Sequence, residues 1–140
     1  LLRSWIYHLV FCLSVKKKTS LTSILICKDS IWEFSPVKES REILMHLLEL
    51  YWKGLSTLIH FFPESSYEYA KQLLTKKQPE PKAMALGQKK WSGSDFSRGE
   101  SEDPYYDRCF SHIDPIDDRF CKMAADVFEP LLTNCRETTF

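Results

Sequence analysis

Asp29 and Glu33 are the residues whose type and spacing come nearest to a reaction centre. Both lie in or beside segments with strand character, 21–27 and 31–34. Carboxylates on neighbouring strands are how a Mg²⁺-dependent nuclease grips its ion. Such a centre also needs a lysine two residues beyond the second acid, to orient the attacking water. That position holds Ser35. A Glu-x-Lys spacing does occur at Glu80-Pro81-Lys82, but it sits among prolines, where a central strand is not expected. No working metal site or cofactor is therefore predicted, and an active Mg²⁺ nuclease built on Asp29 and Glu33 stands as the alternative.

Other chemistries find less. Ser20 and the Ser111-His112 pair have no partner that spacing reveals, and no Gly-x-Ser-x-Gly elbow is present. The four glycines are too scattered for a phosphate loop. Five cysteines (Cys12, Cys27, Cys109, Cys121, Cys135) include no Cys-x-x-Cys pair, which suits reduced thiols in a cytosolic protein. Glu100, Glu102, Asp103 and Asp107 could hold a cation, but read better as a solvated loop, or as an acidic surface for a basic partner. Lys16, Lys17, Lys18, Lys89, Lys90 and Trp91 are the candidate contacts to DNA or a partner, because cations meet phosphates and an aromatic ring stacks on bases. The first lysine run also suits the C-terminal dipole of a preceding helix.

These residues depend on a small set of elements. Leu2, Ile6, Leu9 and Leu13, widened by Trp5 and Cys12, predict a buried helix. It is too short to span a membrane and carries Arg3 and His8. Segments 21–27 and 31–34 predict a hairpin with Trp32 and Phe34 on one face and Glu33 on the other. Ile43, Leu47, Leu50, Tyr51, Leu55 and Leu58 then predict a long amphipathic helix with one face buried. Phe61-Phe62-Pro63 ends it, and Ser65 with Glu68 has capping-box spacing for a helix running to Lys77. Residues 78–99 predict a flexible loop pinned by Trp91. Pro104 permits a short helix towards Phe110. Asp114 is placed as N-cap, with Pro115 at the first helical position, of a last helix that Pro130 should kink or end. Residues 133–140 are expected to fray. The expected core includes Leu47, Leu50, Trp52, Phe120 and Val127.

At 140 residues, with 44% hydrophobic and 14% aromatic content, the chain can bury a core without disulfides, and one mainly helical α+β domain is expected. Formal net charge is zero, so no global field draws it to nucleic acid or to an anionic membrane. The chain opens inside an apolar run without an initiator methionine, and it is expected to be a piece of something longer.

Tyr51-Trp52-x-Gly54 followed by Phe61-Phe62-Pro63-x-Ser65 resembles the C-terminal region of the exodeoxyribonuclease V gamma subunit, the RecC family of the bacterial RecBCD helicase–nuclease. Trp5-x-x-His8-Leu9, the lone Trp91, Gly99-Glu100, Asp103-Pro104-Tyr105-Tyr106, Asp114-Pro115, Phe120, Ala124 and Val127-Phe128-x-Pro130-Leu131-Leu132 fall in the family's order, so the likeness runs over most of the chain. The resemblance implies part of a degenerate PD-(D/E)XK nuclease-like domain without an active site. It also implies a cytoplasmic scaffold that holds the beta and alpha subunits and guides separated strands in double-strand break repair and homologous recombination. The absent lysine beyond Glu33 agrees with that non-catalytic role.

Overall fold

In a computed structural model of the protein, which describes residues 1–15 and 21–139, the chain is α+β and mainly helical, with a small three-stranded antiparallel sheet. It divides into two compact units: Leu1–Leu55 with Pro130–Phe140, and Ser56–Glu129.

In the first unit, helix α1 (Leu2–Ser14) buries Trp5, His8, Leu9 and Cys12. The buried face is thus centred on Trp5 and His8, and Leu13 of the predicted stripe is exposed. Strands β1 (Ser23–Ile26) and β2 (Ser30–Phe34) form the predicted hairpin, in the register Leu25 opposite Trp32 and Ser23 opposite Phe34. Trp32 and Phe34 are buried and Glu33 is exposed, as alternation requires. The Phe34 ring lies 5.9 Å from that of Trp5 and 5.5 Å from that of His8, which ties the hairpin to α1. A third strand, β3 (Cys135–Thr139), pairs with the other edge of β2, with Cys135 opposite Phe34 and Arg136 opposite Glu33. Fraying was predicted there. The backbone groups along the free edge of β2 need partners, and the mostly exposed β3 supplies them without an apolar face of its own.

Helix α2 (Ser40–Gly54) forms where expected and packs against α1, but its burial overturns the prediction. Ile43, Leu47 and Leu50 are only half-buried, Tyr51 and Leu55 are exposed, and Trp52 is 68% exposed. The helix is apolar over more of its circumference than one neighbour can cover. Leu58, beyond its end, is also exposed.

The second unit is helical. Helix α3 (Pro63–Ala70) continues as a π-helical turn, Lys71–Thr75, and α4 spans Glu80–Ser92. A 3-10 turn at Glu100–Glu102 precedes α5 (Pro104–Phe110), and α6 spans Asp118–Thr133, its residues from Pro130 on belonging to the first unit. Phe62 is fully buried at the centre, its ring 4.3 Å from Trp91, 5.1 Å from Tyr106 and 5.3 Å from Phe110. Tyr69, Ala83, Ile116, Phe120, Cys121 and Ala124 complete the cluster. Phe120 and Val127 are buried as predicted.

Three local expectations change. Helix α4 occupies most of the stretch 78–99 expected as a loop; Pro79 and Pro81 stand at its start, where proline is tolerated. Ser65 lies inside α3 rather than capping it. Asp117, not Asp114, caps α6: its Oδ1 accepts from the backbone N–H groups of Arg119 and Phe120, both at 3.0 Å, while Asp114 accepts from Ile116 in a local turn. Pro130, expected to kink or end α6, lies inside it, and the helix closes where Asn134 donates to the carbonyls of Pro130 and Leu131.

Candidate functional site

The acidic pair is held by the hairpin. Asp29 sits in the β1–β2 turn, which Cys27 closes by donating its N–H to Ser30 at 2.8 Å. Glu33 is central on β2, between Ile24 of β1 and Arg136 of β3, on the exposed face of the sheet. Among the described residues, no group of three or more His, Cys, Asp or Glu side chains is arranged to hold a metal ion.

A different polar node lies beneath the hairpin. The His8 Nε2 stands 2.9 Å from the Ser35 carbonyl, which can only accept, so Nε2 carries the proton. The Nδ1 then accepts from the Ser23 hydroxyl at 2.8 Å. With both nitrogens engaged and 1% exposure, His8 fastens α1 to both sides of the hairpin. Ser111 and His112 are exposed, and Ser20 lies outside the described residues.

The structure describes only some of the proposed cationic contacts. Lys16, Lys17 and Lys18 lie outside the described residues. Lys89 and Lys90 are exposed on the last turn of α4, where they complement its dipole. Trp91, named with them as a surface contact, is instead buried in the aromatic core, because its position on α4 continues the inward line of Ala83 and Gly87. Its ring is not available to stack on a base.

The acidic segment does structural work that no local signal announced. Glu100 reaches back to the start of α3, accepting from the Glu64 N–H at 2.9 Å, the Ser65 N–H at 2.7 Å and the Ser65 hydroxyl at 2.6 Å. Glu102 accepts from the Gly99 N–H and from Arg98 Nε. Asp103 caps α5 through Tyr105 and Tyr106; the Asp103-Pro104 pair is the one part of this the sequence advertised. Burial, and after it the charges of Glu100 and Asp103, push the Tyr106 phenol above its ordinary pKa. Nearby, the His60 Nδ1–H is shared between the Pro115 carbonyl and the Asp117 carboxylate, both at 3.0 Å. Burial alone would raise Asp117. The Phe120 N–H, Arg119 and His60 outweigh it and hold this carboxyl below its usual range.

The surface that sequence reasoning missed is on α2. Met45, Leu48, Tyr51, Trp52 and Leu55 are all exposed, and 45, 48, 52 and 55 share one helical face. Its signal was present in the sequence, as leucines and aromatics on more than one side of the helix. A partner laid on such a face would be held by apolar burial. No described helix is long and apolar enough to cross a membrane.

Comparison with known proteins bears on this arrangement. The RecBCD enzyme subunit RecC of Escherichia coli (strain K12) is 27% identical over 121 residues, covering 79% of this chain and 11% of the relative. The chain thus spans about a tenth of that relative's length. The family model of the RecC C-terminal domain matches residues 1–74, which hold α1, the β1–β2 hairpin, α2 and α3. More than half of the chain follows that pattern, and the protein belongs to the RecC C-terminal domain family.

Proposed function

We propose that this chain is a non-catalytic interaction domain of a RecBCD-type exodeoxyribonuclease V complex, which holds the helicase subunits and guides separated DNA strands in double-strand break repair. The observation that carries the reading is the exposed apolar stripe of α2. Water around Met45, Leu48, Trp52 and Leu55 is unfavourable, and a partner that covers them recovers about 25 cal/mol for each Å² of apolar surface removed. Family membership directs the reading to the beta and alpha subunits, to DNA held within the complex, and to the cytoplasm.

The exposed setting of Glu33, with an arginine opposite and Ser35 two residues on, supports a nuclease-like sheet that does no chemistry. The sheet and its flanking helices are read as part of a degenerate PD-(D/E)XK-like domain. Lys89 and Lys90, with Lys16, Lys17 and Lys18, are the cations proposed to meet phosphates once the complex brings DNA near.

Co-purification tests the proposal. The tagged chain is expected to retain the beta or the alpha subunit through a salt wash. Leu48→Lys with Trp52→Glu should abolish retention while shifting stability by only about 0.5 kcal/mol, since both sites are exposed. Failure of the unsubstituted chain to retain either subunit would remove the scaffold reading.

A further inference from the structure

Phe96 is 99% exposed at the tip of a turn that is anything but loose. Ser94 and Ser97 exchange backbone hydrogen bonds at 2.8 and 3.1 Å, and their hydroxyls meet at 3.0 Å. The stem below is closed by two glycines in direct contact. A Cβ on Gly93 would stand 2.5 Å from the Gly99 nitrogen, and one on Gly99 would stand 2.4 Å from the Trp91 carbonyl oxygen. Trp91 is itself locked in the core, so the turn stands on a fixed base. An aromatic ring held in water by a rigid support leaves unrealised most of the stabilisation that its burial would yield.

Within two residues of Phe96 the chain enters the wall of an open cavity of about 490 Å³, lined by Arg98, Gly99, Pro63, Pro104 and Tyr106. Glu64, Glu100 and Asp103 also line it, while Arg98 is already bridged to Glu102 at 3.0 Å. The formal charge of the lining is negative, although Glu100 and Asp103 also hold amides at the starts of α3 and α5, and Asp95 beside Phe96 adds to it. A nucleic-acid backbone would meet like charge here. A guanidinium or ammonium would find carboxylates there, with Tyr106 in the same wall.

We propose that Phe96 and this cavity form one docking surface for a segment of a partner protein that carries arginine or lysine next to an apolar residue. The cation enters the cavity against Tyr106, and the apolar residue covers Phe96. This rests on the partner-binding reading above but uses residues remote in sequence from α2, so the two can fail separately.

The test uses the full chain and a short amidated peptide alternating arginine with leucine, with titration followed by calorimetry and by ring resonances of Phe96 and Tyr106. Saturable binding that shifts both rings is expected. Phe96→Ala should weaken it about tenfold and Glu64→Lys about threefold or more, with Trp52→Glu unchanged. Equal affinity in Phe96→Ala and Glu64→Lys would overturn the assignment. So would equal or tighter binding of a glutamate–leucine peptide or of oligothymidylate. Peptide binding lost only in Trp52→Glu would also overturn it, while leaving the scaffold reading of α2 intact.

Discussion

Asp117 shows how much a single carboxylate can organise. It caps α6, pairs with Arg119 at 2.8 Å and accepts a hydrogen bond from the Nδ1–H of buried His60. Its pKa is depressed on folding, so its stabilising contribution is fully present above the unfolded value near ~4 and is lost as pH falls through the lower folded value. Urea midpoints measured from about pH 5 down to pH 2 should therefore fall more steeply for the parent than for Asp117→Asn. Asparagine keeps the cap and removes the titration. Parallel curves would mean that the charge on Asp117 contributes nothing to folding. Glu100 is the second such residue. Glu100→Ala strips the partner from the Ser65 N–H and hydroxyl, and Ser65 is fully buried. A loss of about 1–3 kcal/mol is expected, read as a lower denaturant midpoint at constant m value.

Among the elements, α3 and α4 pack closely because Gly87 lies at their contact. A Cβ there would stand 3.3 Å from the Ser65 carbonyl oxygen and 3.3 Å from the Tyr69 Cβ. Gly87→Leu should cost at least about 1–3 kcal/mol by overpacking, while Ala85→Leu, on the exposed side of the same helix, should stay within about 0.5 kcal/mol. Equal midpoints for the two would show that the helices are not held at this distance. The same helix explains what the sequence hid. Its buried line is Ala83, Gly87 and Trp91, two small residues and one large, so no apolar stripe marks it, and its prolines read as breakers although they stand at its start. Strand β3 was hidden because its pairing is dictated by β2 rather than by Cys135-Arg136-Glu137 itself. The hairpin was legible because Trp32, Glu33 and Phe34 alternate strictly. Helix α2 was legible as a helix but not in its burial. Periodicity reports an apolar face and cannot say what covers it.

For the whole molecule, zero net charge and the separation of Lys89 and Lys90 from a buried Trp91 argue against strong intrinsic DNA binding. The isolated chain should bind linear DNA weakly, with affinity falling steeply as salt rises. It should leave duplex and single-stranded substrates intact in Mg²⁺ or Mn²⁺. A digestion time course beside Asp29→Ala and Glu33→Ala checks this. Cleavage by the parent that both substitutions abolish would restore the nuclease reading. Of the candidate site, only the placing of Asp29 and Glu33 was legible, because the hairpin that carries them was. Its two acids are where the sequence placed them, on an exposed turn and an exposed strand face.

The clasp between Glu100 and α3 also sets a clock. Amides in the first turn of a helix ordinarily lack partners and trade their protons with water at nearly free rates. Here the amides of Glu64 and Ser65 are held by a side chain 36 and 35 residues further along the chain. Deuterium uptake at these two amides is thus gated by release of the segment around Glu100–Glu102, not by fraying of the helix they begin.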